Sequence, residues 1–379
     1  MSYRRSPARI VRTPFLSASL CGLLLSTVAH AQTAEAPAEP PAPEPAAPAA
    51  ETPPAAAPEA PAAAEAPVEP TAEEPVAEPA PEAAAPPPDA PKPPPYSLPW
   101  QLRPVAPANV IRSDTAIAFY KPATADKGGT TVATTLLGSY KITDSFAPLI
   151  RLGLVSNSPP APAAPAAAPP SGTAFMNPVI GGLYGLKFDD FRLGLFLGLT
   201  IPVGGGGGNK APTDKTRQAM IPAGINARSA MDNAMFAMNY FTIFPGVGFA
   251  YVKGGFTAQA EVTLLQLTRV KGELVDTDKS RTNMTMGLHA GYFFIPQLSA
   301  GVELRHQRWL STPAPVKAAA AAGDKAPRDT STVAFGPRAH FQLGEKMWLR
   351  PGVSVALPLD APMTRADYVI AQIDIPFVF

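Results

Sequence analysis

Along residues 255–270 the side chains alternate. Phe256, Ala258, Ala260, Val262 and Leu264 fall on one face, and Thr257, Gln259, Glu261 and Thr263 on the other. Period-two alternation marks a strand whose two faces meet different surroundings. In 190–203, Phe191, Leu193, Leu195, Leu197, Leu199 and Ile201 oppose Arg192 and Thr200. In 281–294, Met284, Met286, Leu288, Ala290, Tyr292 and Phe294 oppose Arg281, Asn283, Thr285 and His289. Twelve such segments can be read, near 113–121, 130–142, 146–156, 174–188, 190–203, 236–252, 255–270, 281–294, 297–310, 330–343, 346–358 and 366–379.

The connections sort by length. TDS, Asp189-Asp190, KGG, IPQ and GEK are tight, and each alternates with a longer stretch such as SNSPPAPAAPAAAPPSG or STPAPVKAAAAAGDKAPRD. A soluble sandwich has no reason to sort its loops; a transmembrane barrel has tight turns at one rim and long loops at the other. Aromatic residues on the apolar faces gather near the tight turns: Tyr140, Phe146, Phe188, Phe191, Tyr251, Phe256, Tyr292, Phe294, Phe341, Phe377 and Phe379. That is the girdle expected at a membrane–water interface. The expected fold is all-β, an antiparallel transmembrane β-barrel of about 12 strands, with apolar side chains facing lipid. Residues 96–379 contain no apolar run of about 18 residues, so no helical span is expected.

The last strand reads IDIPFVF and stops on Phe379. In this the chain resembles the outer-membrane β-barrels of Gram-negative bacteria, porin-like channels among them, over roughly residues 110–379. The resemblance implies the outer membrane as location and its lipid as surroundings. It also implies a barrel-assembly machinery as partner, reading Ile373, Ile375, Phe377 and Phe379 on the terminal strand. The stretch MNPVIGGLYGLKFDDFRLGLFLGLTIPVGG is similar to barrels linked to phenol-degradation pathways, at Asn177-Pro178, Tyr184, Arg192-Leu193-Gly194 and Thr200-Ile201-Pro202-Val203-Gly204.

Composition divides the rest. Residues 1–31 read as a secretory signal peptide: Arg4, Arg5, Arg9 and Arg12, an apolar run from Phe15 to Val28, and Ala29-His30-Ala31 as cleavage site. The only cysteine, Cys21, lies within it and follows Leu20 rather than a small residue, which speaks against lipidation. Residues 32–95 are almost wholly Ala, Pro and Glu. Such a segment cannot bury a core and is expected to be a disordered periplasmic linker, reaching on the order of 200 Å if fully extended. It carries twelve acidic side chains against Lys92 alone, and the leader carries four arginines. The overall charge of +1 therefore conceals a basic domain, 96–379, with an excess of eight positive charges. An even strand number puts both barrel ends on one side, so the arm is expected in the periplasm, as a spacer or as a docking arm for a periplasmic or cell-wall partner.

Candidate chemistry is sparse. GGGGGNKAPT (204–213) lacks the Gly-Lys-Ser/Thr close of a phosphate loop and reads as a surface loop. Beyond the leader His289, His306 and His340 show no metal-ligand spacing. His306 points outward by parity, as the base of a membrane-embedded lipase would, but Ser299 lies on the wrong face and Ser311 past the strand end. No enzyme activity, cofactor or nucleic-acid partner is expected. By parity the lumen receives Arg151, Lys187, Arg192, Glu261, Arg269, Glu303, Arg305, Arg338, His340, Arg350, Gln372 and Asp374. Their positive excess lowers the barrier for anions; alternatively, pairs such as Glu303 with Arg305 hold a narrow barrel shut. Residues 221–238 have helical spacing, with Ala227, Ala230, Ala234 and Met238 on one stripe, and either plug the mouth or lie on the surface. Two functions follow: a porin-like channel for small solutes, anionic ones in particular, or a non-conducting anchor whose acidic arm binds a partner.

Overall fold

The computed structural model describes residues 96–162, 169–207, 217, 220–272, 278–321, 328–361 and 363–379. The signal peptide, the Ala/Pro/Glu arm and most of the glycine-run loop lie outside the described residues. Twelve strands form the wall: β1 (Val110–Tyr120), β2 (Gly129–Ser139), β3 (Phe146–Ser158), β4 (Val179–Phe188), β5 (Phe191–Thr200), β6 (Tyr240–Lys253), β7 (Phe256–Arg269), β8 (Ser280–Ile295), β9 (Leu298–Trp309), β10 (Asp329–Ala339), β11 (Gly352–Pro358) and β12 (Val369–Val378). Each pairs antiparallel with its neighbours in chain order. β12 returns to β1, from Val110 opposite Val378 to Phe119 opposite Val369, and closes the barrel. Closure leaves no sheet edge, which is the condition for strands in hydrocarbon.

The tight turns follow local chemistry. Gly254 (φ +56°) and Gly255 (φ +82°) join β6 to β7 with positive φ at both positions, the conformation of a two-residue hairpin that glycine adopts without steric cost. Between β10 and β11 the alternation read as continuous over 346–358 is broken. Pro351 has no N–H for the ladder, and the pairing resumes only at Phe341–Gln342 against Trp348–Leu349. Residues 201–203 and 236–239, read as strand ends, belong to the connection between β5 and β6.

The outward face is an apolar belt. Ile150, Leu195, Leu197, Val247, Leu264, Leu288, Val302, Phe335, Val353 and Ile373 are all exposed. Tyr140, Phe188, Phe191, Tyr292, Phe294 and Phe379 crowd the tight-turn rim, also exposed. The inward face is polar, with Arg112, Asp114, Gln259, Glu261, Glu303, Arg305, Arg338, Gln372 and Asp374 buried. This inversion of a soluble protein fits lipid outside and an enclosed polar interior. No helix among the described residues is long and apolar enough to cross a membrane.

Two further segments of the same unit occupy that interior. Residues 96–109 precede β1 and enter at the tight-turn rim. The connection between β5 and β6 folds in from the long-loop rim as α1 (Met220–Ala227) and α2 (Asn233–Phe236). The single helical stripe through Ala227, Ala230, Ala234 and Met238 does not form. Ser229 (φ +52°) and Ala230 (φ +54°) take left-handed backbone and turn the chain between the two helices. All four stripe residues are nevertheless buried, because both helices pack inside the wall against residues such as Val155, Met176 and Leu265. A third helix, α3 (Ala314–Ala321), lies in the connection between β9 and β10.

Candidate functional site: a stoppered lumen

The register places two carboxylates face to face. Asp114 on β1 is directly opposite Asp374 on β12, and both point inward. Like charges at such a pair repel, so the fold requires cations beside them. Arg112 Nε donates to Asp374 Oδ1 at 2.6 Å, and Arg338 Nη2 to Asp374 Oδ2 at 2.5 Å. Arg228, from the turn after α1, donates to Asp114 Oδ2 at 2.6 Å and to Asp232 Oδ2 at 2.7 Å. Arg151 on β3 donates to Asp232 Oδ1 at 2.5 Å. The inner loop is thereby tied to the wall by charge-assisted bonds on both sides.

The segment before β1 is held in the same way. Backbone N–H groups of Trp100 and Gln101 donate to Glu303 Oε2 and Oε1 at 2.7 and 3.1 Å. Arg103 N donates to Glu261 Oε2 at 2.7 Å, and Gln259 Nε2 to the Arg103 carbonyl at 2.6 Å. Ser97 N donates to Thr257 Oγ1 at 3.0 Å. Arg112 reaches the Pro99 carbonyl at 3.0 Å and also the Trp100 carbonyl, and Arg350 reaches the Tyr96 carbonyl. Trp100 and Leu102 are fully buried.

The wall makes room for this segment by omitting side chains. Inward positions 185, 194, 248, 287 and 291 are all glycine. A Cβ at Gly287 would lie 2.5 Å from Leu102, one at Gly248 2.9 Å from Val105, and one at Gly194 3.1 Å from Val105. Gly185 and Gly291 face Pro107 and Ser97 equally closely.

The two stoppers meet through one layer. Arg305 Nε donates to Glu303 Oε1 at 2.6 Å, Nη2 to Gln372 Oε1 at 2.9 Å and Nη1 to Ser229 Oγ at 3.3 Å. Gln372 Nε2 in turn donates to Asp114 Oδ1 at 2.8 Å and to the Trp100 carbonyl at 3.3 Å. Between the stoppers remains a cavity of about 80 Å³. Its walls are largely apolar: Leu137, Leu149, Val179, Phe196, Phe244 and Leu265, with Met231 and Met235 from the loop and Arg103, Arg151 and Asp232 as polar rim.

Of the positions read as lumen-lining, Glu261, Glu303, Arg305, Arg338, His340, Arg350, Gln372 and Asp374 are buried inside the barrel, and Arg151 is half-buried beside Asp232. His340 accepts from Arg350 Nε on Nδ1 at 3.0 Å, so its Nε2–H donates to Ser299 Oγ at 2.8 Å. Lys187 and Arg192 follow inward parity but sit beside the tight β4–β5 turn. Lys187 is exposed, and Arg192 donates to the Asp189 and Phe191 carbonyls at 2.7 and 2.8 Å. Arg269 lies at the opposite rim, half-buried. The sequence reading missed Arg112, Asp114, Arg228, Asp232 and the whole 96–107 insertion. Arg112 lay just outside the strand as read. The Pro-rich start of 96–107 carries no periodicity that distinguishes a stopper from a linker.

The carboxyl of Asp232 belongs to the inner loop rather than to a wall strand. Burial alone pushes it up, but Arg151 and Arg228 more than offset this and hold it below its ordinary value of 3.8.

No family model matches the chain, and no curated protein matches it. Among solved structures it is similar to the COG4313 outer membrane channel from Pseudomonas putida F1, at 15% identity and TM-score 0.43, covering 74% of this chain and 98% of that one. It is also similar to the NanC porin, at 7% identity and TM-score 0.39 over 70% of this chain and 98% of that one. A third is the KdgM porin in complex with disordered oligogalacturonate, at 10% and 0.37 over 71% and 99%.

Proposed function

We propose that the barrel lies in the outer membrane of a Gram-negative bacterium and is a porin-like channel for small solutes, shut in this conformation by two of its own segments. The tight-turn rim faces the periplasm, and the long loops face outward. The single observation that carries this reading is the way the lumen is filled. A barrel that needs only to be solid can be packed by wall side chains. Here the wall is cut back to glycine along the path of 96–107, and the filling is chain held by hydrogen bonds and ion pairs.

Selectivity follows from what an open lumen would present. Withdrawal of 96–107 leaves Arg112, Arg305, Arg338 and Arg350 against Glu261, Glu303 and Asp374 in its path. That excess favours anions. The remaining space between the stoppers is apolar. A small solute with an apolar body and a negative group suits both features.

Conductance across a planar bilayer tests the proposal. The full-length protein should show low or flickering current. Deletion of 96–107 should raise the current, and adding Arg228→Ala should make it steady and anion-preferring, with the barrel still refolding as judged by its sheet content. A second reading, a non-conducting anchor, takes its support from the occupation of the lumen at both ends. Silence of a refolded barrel lacking 96–107 and also carrying Arg228→Ala would leave only that reading.

A further inference from the structure

The outward face of the barrel holds a constellation unrelated to the lumen. His306 on β9 and Ser331 on β10 are directly opposed across the ladder. Both share the parity of the apolar belt, with Leu304 and Val333 two residues further in, themselves a facing pair. Ser331 Oγ lies 2.9 Å from His306 Nδ1. On the far side of the ring, Asp329 Oδ1 lies 3.8 Å from Nε2. The carboxylate favours the N–H on Nε2, which leaves Nδ1 as the acceptor for the serine hydroxyl. That is the protonation state a base needs to take a proton from serine.

The surroundings define the substrate. Ser331 is fixed by its backbone: its N–H donates to Asp360 Oδ1 at 2.9 Å, and its carbonyl accepts from Leu359 N at 2.9 Å. Directly below, Leu304, Val333 and Leu357 form an outward-facing row across three adjacent strands. Directly above, Arg308 holds Asp329 at 3.6 Å, in the polar zone of the long-loop rim. The pair therefore sits where an apolar belt gives way to charge. In a membrane that depth corresponds to the ester linkages of lipids, with chains against the belt and anionic headgroups toward Arg308.

We propose that Ser331, His306 and Asp329 form an acyl-hydrolase site on the lipid-facing wall, acting on acyl esters of outer-leaflet lipid. Ser331 Oγ bonds to the acyl carbon while its proton passes to His306 Nδ1. The ester C–O bond breaks, and the leaving alkoxide takes that proton from His306 and departs as the alcohol. Water repeats the sequence on the acyl-serine, releases the fatty acid and restores Ser331. No reactant besides lipid and water is needed. Asp329 is a positioning residue. Its 3.8 Å contact in the resting protein closes as the imidazolium forms, since such bonds are often long before substrate arrives.

The experiment uses the full-length protein refolded in detergent. A fluorophosphonate probe should label Ser331, mapped by peptide mass. Fatty acid should be released from phosphatidylglycerol vesicles or from purified lipopolysaccharide, and comparison of the two distinguishes the lipid source. Ser331→Ala and His306→Gln should abolish labelling and lower release by about 100-fold or more, and Asp329→Asn by about 10-fold. Sheet content and bilayer current of Ser331→Ala should match the parent, which separates chemistry from folding. The proposal is overturned if the folded parent neither labels nor releases fatty acid above Ser331→Ala from either lipid, or if the label maps to another residue.

Discussion

Glu303 shows how much one side chain holds. Its two oxygens accept from Trp100, Gln101 and Arg305, so it joins the stopper before β1 to the wall and, through Arg305 and Ser229, to the loop stopper. Glu303→Gln removes the charge that compensates a fully buried guanidinium, a change that typically costs about 3–5 kcal/mol. We expect urea unfolding in detergent to report a loss of that order, together with raised current. Asp232 gives the pH dependence. Its carboxyl is depressed in the folded loop, so its contribution is fully present above its ordinary value of 3.8 and is lost as pH falls below it. Current should therefore be unchanged from neutral pH down to about 4 and rise only in stronger acid. Asp232→Asn should remove that acid-dependent rise. The pairing of Glu303 with Arg305 was legible, because two residues of one strand face share a parity. The partnership of Arg228 with Asp114 was not, since it spans 114 positions and depends on a fold-back that no local pattern records.

At the scale of elements, alternation located every wall strand and ordered the long and short connections, because period two follows directly from strand geometry. Strand breaks were less visible: β11 begins only after Pro351, where the ladder loses a donor. The helical stripe over 221–238 mistook two helices for one, since left-handed backbone at Ser229 and Ala230 leaves no mark in a pattern of small residues. Cross-strand register was likewise hidden. Ser331 is 25 residues from His306 in sequence and directly beside it in the sheet. The terminal strand carries its own prediction. Ile373, Ile375 and Phe377 share the outward face of β12, and Phe379, directly after it, continues that parity. Deleting Phe379 should lower the yield of barrel assembled in cells, by quantitative blotting of membrane fractions, while leaving detergent refolding nearly intact.

The whole molecule combines a closed wall with two segments of its own chain packed inside it. Its exterior is set by hydrocarbon, its interior by charge balance, and its lumen by two segments entering from opposite rims. The role of residues 96–107, which join the Ala/Pro/Glu stretch to the barrel, was not legible from composition. The chain that follows the arm is the chain that fills the lumen, so the mobility of 96–107 is the central issue. A disulfide decides it. A Cβ at Gly287 would lie 2.7 Å from Leu102 Cγ, close to where the sulfur introduced by Leu102→Cys would sit. Cys21, in the signal peptide as read, is the chain's only native cysteine. In the Leu102→Cys, Gly287→Cys double variant, oxidised single-channel current should be near zero and addition of reductant should restore it to the parent level or above. Equal currents in the oxidised and reduced states, with the disulfide verified by mass, would contradict the stopper.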